Sequence, residues 1–158
     1  MGAAAYLIRH ARAGRRSMWK GPDDERPLSG KGRQQARWIA RRLRDEPITR
    51  IVSSPFARCV QTVEPLAAAL GLVVEQDSLL AEGSGVGHVA RLARATPDGA
   101  RLALASHGDV ILGLLGSLEA AGVPLDSEVV ARKGSTWRLD VVDGEIVRGR
   151  YVPAPGEP

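Results

Sequence analysis

Residues 7–14, LIRHARAG, bring an arginine and a histidine to the end of a short apolar run. The run reads AAYLIR over residues 4–9, a length and composition that predict a β-strand. Guanidinium and imidazole groups suit the interior of a strand poorly, and small residues typical of a turn follow them. We therefore expect Arg9 and His10 to lie at the carboxyl end of a first strand, where a ligand can reach them.

Strand and helix patterns alternate along the rest of the chain. Apolar runs at residues 49–53, 72–76 and 100–106 predict further strands. The predicted helices cover residues 33–44 after an N-cap at Ser29, the stretch from Ser54-Pro55 to Gly71, residues 87–95 and residues 109–121, and a hairpin with an Asp143-Gly144 turn follows. This alternation predicts an α/β fold, a three-layer α/β/α sandwich with a mainly parallel central sheet. We expect one domain over residues 1–152 and a loose tail, rich in Pro and Gly, over residues 153–158.

The composition argues against several classes of protein. With 158 residues the chain is long enough for one domain with its own core, and its single cysteine cannot form a disulfide within the chain. A net charge of +4 and 4% aromatic residues are a weak basis for nucleic-acid binding. No apolar run approaches the roughly 18 residues of a membrane span, and the N-terminal residues do not resemble a signal peptide. We expect a cytoplasmic protein with no membrane or nucleic-acid partner.

Three of the predicted strands end in polar residues of a related kind. The first strand ends in Arg9-His10, the strand at 49–53 ends in Ser53-Ser54 with Arg58 in the helix that follows, and the strand at 100–106 ends in Ser106-His107-Gly108-Asp109. Ligands of parallel α/β sheets bind beyond the carboxyl ends of the strands, so these side chains converge if the strands are neighbours. Two arginines and helix N-termini at that edge would form a pocket for a phosphoryl group.

A histidine in such a pocket is a candidate nucleophile. His10 can attack phosphorus through a neutral ring nitrogen, and nearby arginines should lower its pKa. His107, if protonated, would hold another phosphoryl oxygen. The leaving oxygen needs a proton donor, and Glu82, which opens a Gly-rich loop, is the candidate. Each residue alone would more often be structural, but together they predict phosphoryl transfer.

Other residues carry weaker indications. Arg12, Arg15 and Lys133 are candidates for contacts with the rest of a substrate, although a solvated charge explains each of them equally well. Cys59 is not expected to be a nucleophile, because Pro65 stands where the loop of a cysteine phosphatase needs an arginine. With three histidines, one cysteine and no spaced set of ligands, we predict no metal site and no cofactor.

Four stretches, in this order along the chain, resemble the histidine phosphatase superfamily, also called phosphoglycerate mutase-like. They are LIRHA at 7–11, RPLSGKGRQQA at 26–36, SSPFARCVQT at 53–62 and SHGD at 106–109. The small size of the chain is similar to the SixA type of phosphohistidine phosphatase. The resemblance implies that His10 is the nucleophile that forms a phosphohistidine, that Arg9, Arg58 and His107 bind the phosphate, and that Glu82 holds the position of the proton donor.

A closer resemblance is to the phosphatase domain fused behind MutT-type Nudix hydrolases in some actinobacteria. It rests on the basic spacing after His10, on TVEPLAAAL at 62–70 and especially on RKGSTWRL at 132–139. The 158 residues include no Nudix segment, and whether a Nudix partner acts with this chain stays open.

The loops around Glu82 favour one function over its alternatives. The stretch from Gly71 to Glu82 has no room for the longer insertion of the mutases, and the short loop after Glu82 predicts an open mouth. An open mouth suits hydrolysis, whereas a mutase must keep its intermediate away from water. We predict a metal-independent phosphatase acting on a phosphorylated small molecule, nucleotide or phosphoprotein. The alternatives are a phosphoglycerate mutase-type phosphotransferase and a non-catalytic phosphate-binding module.

Overall fold

Six strands form one mixed sheet in the computed structural model, which describes residues 2–157. The strands are β1 (Ala3–Arg9), β2 (Arg50–Ser53), β3 (Val74–Gln76), β4 (Arg101–Ser106), β5 (Thr136–Val142) and β6 (Glu145–Val152). Their order is β3-β2-β4-β1-β5-β6. The pairs among β3, β2, β4 and β1 are parallel, while β5 and β6 continue the sheet as the antiparallel hairpin. The prediction of a mainly parallel central sheet is confirmed.

Helices cover both faces of this sheet. They are α1 (Gly30–Leu43), α2 (Ala57–Leu70), α3 (Gly87–Arg94) and α4 (Gly108–Ala120), with short 3₁₀ turns at Arg16–Met18, Asp23–Glu25 and Ser78–Leu80. Successive side chains of β1 point to opposite faces, as in any strand. Leu7 packs into the core on the side of α3 and α4, and Ile8 packs into the core on the side of α1 and α2. The sandwich of three layers predicted from the sequence is therefore confirmed.

None of the helices within residues 2–157 is both long enough and apolar enough to cross a lipid bilayer.

Two helix ends follow the sequence rules and one does not. Ser29 caps α1, since its hydroxyl accepts a hydrogen bond from the N–H of Gly32 at 3.1 Å, and Gly71 ends α2 with a left-handed φ of +67°. The prediction that α2 starts at Ser54-Pro55 is wrong, because the helix begins at Ala57. The Ser54 hydroxyl lies 2.8 Å from the ring of His107 instead of capping the helix.

The residues after β6, which the sequence predicts to form a loose tail, make contacts with the hairpin. Ala154 is buried. The carboxylate of Glu157 accepts hydrogen bonds from the N–H of Ala154 at 2.8 Å and from the hydroxyl of Tyr151 at 2.5 Å. These contacts hold residues 153–157 against the end of the hairpin, while Pro158 lies outside the described residues.

The carboxyl ends of β2, β4 and β1 meet at one edge because these strands are neighbours. Arg9 pairs with Ser106 in the β1–β4 register, and Ser53 pairs with Ala105 in the β2–β4 register. The backbone N–H of His10 donates to the carbonyl of Ser106 at 3.1 Å, so the alignment continues one residue past the strand. The convergence expected from the sequence therefore occurs.

Candidate active site

His10 presents one free ring nitrogen. Its Nδ1 lies 2.8 Å from the backbone carbonyl oxygen of Ala11, and a carbonyl can only accept, so Nδ1 carries the proton and Nε2 keeps its lone pair. Burial lowers the pKa of His10 to about 3; the bond to Ala11 opposes this shift and the charge of Arg58 adds to it. The sequence predicted a lowered pKa from the arginines alone, and burial is the larger cause. The ring is neutral at neutral pH and suited to nucleophilic attack.

The backbone around His10 is fixed from two directions. The N–H of Ala11 donates to the hydroxyl of Thr62 on α2 at 2.9 Å. The N–H of Gly134, in the loop before β5, lies 3.2 Å from the carbonyl oxygens of both Arg9 and His10. The backbone that carries the His10 imidazole is therefore hydrogen-bonded both to α2 and to the loop before β5.

His107 lies directly before α4 and next to His10. The ring centroids of the two histidines are 5.5 Å apart. The Nδ1 of His107 lies 3.5 Å from a carboxylate oxygen of Glu82, which can only accept, and this favours the tautomer with its proton on Nδ1. In that tautomer Nε2 accepts from the Ser54 hydroxyl at 2.8 Å, while the hydroxyl oxygen accepts from the N–H of Phe56 at 3.3 Å.

His107 is neutral at neutral pH. Burial lowers its pKa to about 4, the nearby Arg58 lowers it further, and the carboxylate of Glu82 opposes the shift. The Nδ1–H group donates a hydrogen bond without a net charge, so a neutral His107 is still able to bind a phosphoryl oxygen.

Arg58, in the first turn of α2, is 1% exposed and links two carboxylates. Its Nη1 donates to the carbonyl of Asp23 at 3.0 Å, and its Nη2 lies 3.2 Å from the Asp23 carboxylate and 2.9 Å from the Glu82 carboxylate. Its Nε is buried and has no hydrogen-bond partner among residues 2–157. A buried N–H donor without a partner is costly, which makes this atom a candidate anion contact.

Arg9 provides a second donor of the same kind. Its Nη1 donates to the carbonyl of Ala131 at 2.6 Å, while its Nε is buried and unpartnered within the described chain. The guanidinium lies so close to Gly108 that a Cβ there would be 2.9 Å from Cζ of Arg9. Burial lowers the pKa of Arg9. Gly108 therefore serves to make room for Arg9 at the start of α4.

Glu82 stands at the open side of the site. An open pocket of about 490 Å³ is lined by Arg9, His10, Glu82, Gly83, Gly108 and Asp109. The N–H of Gly83 donates to the carboxylate of Asp109 at 2.8 Å, which ties the loop of Glu82 to the first turn of α4. The side chain of Glu82 is 43% exposed, so a proton can pass between it and solvent.

Two residues of the site were given no role from the sequence. Asp23 reaches Arg58 from a 3₁₀ turn, and Thr62, although it ends the quoted stretch SSPFARCVQT, holds the backbone after His10. Asp109, which the sequence placed at the strand ends with His107, holds the loop of Glu82. No pattern signals Asp23.

The candidates for contacts with the rest of a substrate divide into two groups. Arg12 and Lys133 line a cleft that also includes Arg9. Arg15 is exposed and is not among the residues that line this cleft or the His10 pocket. The structure therefore brings Arg12 and Lys133 near the site and does not bring Arg15 there.

Cys59 lies beside His107 but is not placed to act as a nucleophile. Cys59 is fully buried, with Sγ 3.5 Å from Nε2 of His107, and burial raises the pKa of its thiol to about 12. A thiol with so high a pKa is not a nucleophile at neutral pH. Residues 2–157 contain no group of three or more His, Cys, Asp or Glu side chains placed to hold a metal ion.

Sequence comparison identifies two informative relatives. Over 155 residues, 96% of the chain, the sequence is 35% identical to a Mycolicibacterium smegmatis protein named 8-oxo-(d)GTP phosphatase, and it spans 48% of that protein's length. A shorter match is 42% identical over 83 residues. It joins 49% of the chain to 36% of a Shigella dysenteriae protein named "Probable phosphoglycerate mutase GpmB".

Structure and family comparisons agree with the resemblance seen in the motifs. The protein histidine phosphatase SixA complexed with tungstate is similar over 96% of this chain and 95% of its own, with a TM-score of 0.72 and 25% sequence identity. The family model described as histidine phosphatase superfamily (branch 1) matches residues 5–88, the stretch that carries Arg9, His10, Arg58 and Glu82. The chain belongs to the histidine phosphatase superfamily, branch 1.

Proposed function

We propose that the chain is a phosphatase that works without a metal ion and transfers the phosphoryl group first to His10 and then to water. One observation carries this proposal: a neutral histidine with a free Nε2 lies beside two arginines whose buried Nε–H groups lack partners within residues 2–157. A phosphoryl group supplies an electrophilic phosphorus for the histidine nitrogen and acceptor oxygens for the two arginine Nε–H groups.

In the first step, the lone pair of Nε2 of His10 forms a bond to phosphorus while the bond from phosphorus to the leaving oxygen breaks. Glu82, acting as the general acid, transfers a proton to that oxygen. The phosphorylated ring becomes cationic, and the bond from Nδ1–H to the carbonyl of Ala11 stabilises that charge.

In the second step, water attacks phosphorus and the phosphorus–nitrogen bond breaks, which returns His10 to its neutral form. Glu82 now accepts a proton from the water, and it thereby returns to the protonated state. Arg9, Arg58 and His107 donate hydrogen bonds to the phosphoryl oxygens in both steps. Glu82 lies 2.9 Å from Arg58, so the proton donor is held beside the group that binds the phosphate.

The relatives support this assignment. A SixA structure of the same fold binds tungstate, which is a tetrahedral oxyanion like phosphate, and the mycobacterial relative is named as a phosphatase. The open side of the pocket at Glu82 lets water reach the intermediate and favours hydrolysis over the mutase alternative. Substrate classes consistent with these relatives are protein phosphohistidine and nucleotides.

The covalent intermediate is tested directly with a ³²P-labelled phosphomonoester in buffer that contains a chelator. We expect base-stable, acid-labile label on the wild-type protein during turnover and none on His10→Asn. His88→Asn is the matched control, because His88 pairs with Asp77 outside the site. Wild-type protein that turns over without label, or His10→Asn protein that carries label, would show that His10 is not the nucleophile. A rate that requires added metal would contradict metal independence.

A further inference from the structure

The loop before β5 holds Arg9 through several hydrogen bonds. Nη1 of Arg9 donates to the carbonyl of Ala131 at 2.6 Å, and the backbone N–H of Arg9 donates to the carbonyl of Ser135 at 3.1 Å. The N–H of Gly134 lies 3.2 Å from the carbonyl oxygens of both Arg9 and His10. The direction of the buried Nε–H of Arg9, which has no partner among residues 2–157, therefore depends on where this loop lies.

The residues of this loop next to β5 have no regular secondary structure, so contacts with other parts of the fold fix them. The indole N–H of Trp137 donates to the carbonyl of Val130 at 2.7 Å, and the side-chain amide of Gln35 donates to the carbonyl of Lys133 at 3.2 Å. Arg132 lies between these two contacts and directly follows the residue whose carbonyl accepts from Arg9. The position of Arg132 therefore bears on the direction of that carbonyl.

Glu157 fixes the surroundings of Arg132. Its carboxylate lies 3.3 Å from Nε of Arg132, and it accepts from the hydroxyl of Tyr151 at 2.5 Å and from the N–H of Ala154 at 2.8 Å. The hydroxyl of Tyr151 has a single proton, which it donates to Glu157, so its oxygen is left to accept from the backbone N–H of Arg132 at 3.4 Å. Burial raises the pKa of Tyr151, and the hydrogen bond to Glu157 raises it further, so the phenol keeps this proton at neutral pH.

The carboxylate of Glu157 has a fixed direction. Its side chain is 6% exposed, whereas the side chain of Arg132 is 62% exposed. An ion pair with an exposed partner contributes little alone, but a buried carboxylate that loses a hydrogen bond carries a free-energy cost. The hydrogen bonds of Glu157 therefore hold Tyr151 in the orientation that accepts from Arg132.

We propose that Glu157 is a positioning residue for phosphoryl transfer, which directs Arg9 towards the phosphoryl group through Tyr151 and the loop before β5. The inference rests on the proposed function, in which Arg9 donates hydrogen bonds to the phosphoryl oxygens. The alternative role for Glu157 is to hold only the residues after β6, and that role predicts a lower stability with an unchanged active site.

Binding of tungstate, measured by isothermal titration calorimetry, tests this role apart from turnover. We expect Glu157→Ala and Tyr151→Phe each to weaken tungstate binding about fivefold, as for the loss of one hydrogen bond. Tyr151→Phe keeps the aromatic ring beside Trp137, at a centroid distance of 5.2 Å, so it removes the hydroxyl without removing this packing. Glu119→Ala removes the same charge as Glu157→Ala from an exposed position of α4, and it should bind tungstate as wild type does.

A double-mutant cycle shows whether Glu157 acts through Arg9. In the Arg9→Ala background, Glu157→Ala should cause no further loss of tungstate affinity, because the guanidinium that it positions is gone. The kcat/KM for p-nitrophenyl phosphate should follow the same pattern, with a loss of about fivefold for Glu157→Ala alone. Glu157→Gln keeps an acceptor oxygen for Tyr151 and should recover most of the affinity.

A tungstate affinity of Glu157→Ala equal to that of wild type, even with a lower melting temperature, would assign Glu157 to stability alone and overturn the inference. A loss of the same size with and without Arg9 would also overturn it. The proposed function fails separately: a wild-type protein that binds tungstate but hydrolyses no phosphomonoester loses that function, and the cycle still decides the role of Glu157. A wild-type protein that binds no tungstate contradicts both.

Discussion

Arg58 connects two segments of the candidate site that are distant in sequence. Its buried guanidinium binds Asp23 on the 3₁₀ turn and Glu82 on the loop after β3. We expect Asp23→Ala to reduce kcat/KM about tenfold, chiefly through a higher KM, because Arg58 loses an anchor and its Nε no longer has a fixed direction. Asp23→Asn keeps an acceptor oxygen and should recover most of the loss.

Asp24→Ala is the matched control for Asp23, since Asp24 is exposed on the same turn. Steady-state kinetics on one phosphomonoester suffices for the four proteins. If Asp23→Ala and Asp24→Ala change kcat/KM alike, or if Asn recovers nothing, then Asp23 does not act through Arg58.

The role of Glu82 as proton donor is tested by comparing substrates whose leaving groups differ in basicity. An alkoxide leaving group needs a proton in the transition state and p-nitrophenolate does not, so Glu82→Gln should lose about 100-fold or more on an alkyl phosphate and much less on p-nitrophenyl phosphate. The amide oxygen of Gln still accepts from Arg58, which preserves that contact. The measurement is kcat/KM on the two substrates. Equal losses on both would remove Glu82 from the role of proton donor.

At the scale of elements, the start of α1 packs directly on the turn after β1. A Cβ at Gly32 would lie within 2 Å of the carbonyl oxygen of Arg12, far inside van der Waals contact, so Gly32→Ala must displace one of the two elements. We expect the free energy of unfolding to fall by about 2 kcal/mol or more, as measured by urea denaturation. Gly30→Ala, where a Cβ meets nothing within 4 Å, should stay within about 0.5 kcal/mol of wild type. Similar losses for both would mean that the contact at Gly32 relaxes freely.

The sequence predicted correctly those helices and strands whose apolar residues recur with a clear period. Residues 4–9 and the repeated apolar positions of α1 give clear patterns, and the structure places both elements within a residue or a few of the prediction. The predicted start of α2 at Ser54-Pro55 was wrong because a Ser-Pro pair is a typical helix start. The contact of Ser54 with His107, which is distant in sequence, cannot be predicted from the local sequence. The 3₁₀ turns within residues 16–25 have no hydrophobic period, so nothing predicted that they would carry Asp23 to Arg58.

At the scale of the whole molecule, the site was predictable because parallel strands align their ends. His10 and His107 are 97 residues apart in the sequence, yet the parallel pair β1–β4 brings their rings to a centroid distance of 5.5 Å. The fold rule locates the site without any knowledge of side-chain contacts. The protonation state of each ring depends on burial and on single hydrogen bonds, which only the three-dimensional packing supplies.

Burial of two neutral histidines makes the stability of the whole molecule depend on pH. The pKa of His10 is about 3 and that of His107 about 4 in the folded protein, against an ordinary value of 6.5 in the unfolded chain. Below pH 6.5 the unfolded chain binds protons that the folded chain does not, so acid favours unfolding. The stability that the neutral rings contribute is complete above about pH 6.5 and is lost progressively as the pH falls towards 4 and 3. We expect His10→Asn to reduce the decline between pH 6.5 and pH 4.5 by about 1 kcal/mol per pH unit, as measured by urea unfolding across that range. A variant that declines as steeply as wild type would mean that the ring of His10 takes up its proton in the folded state.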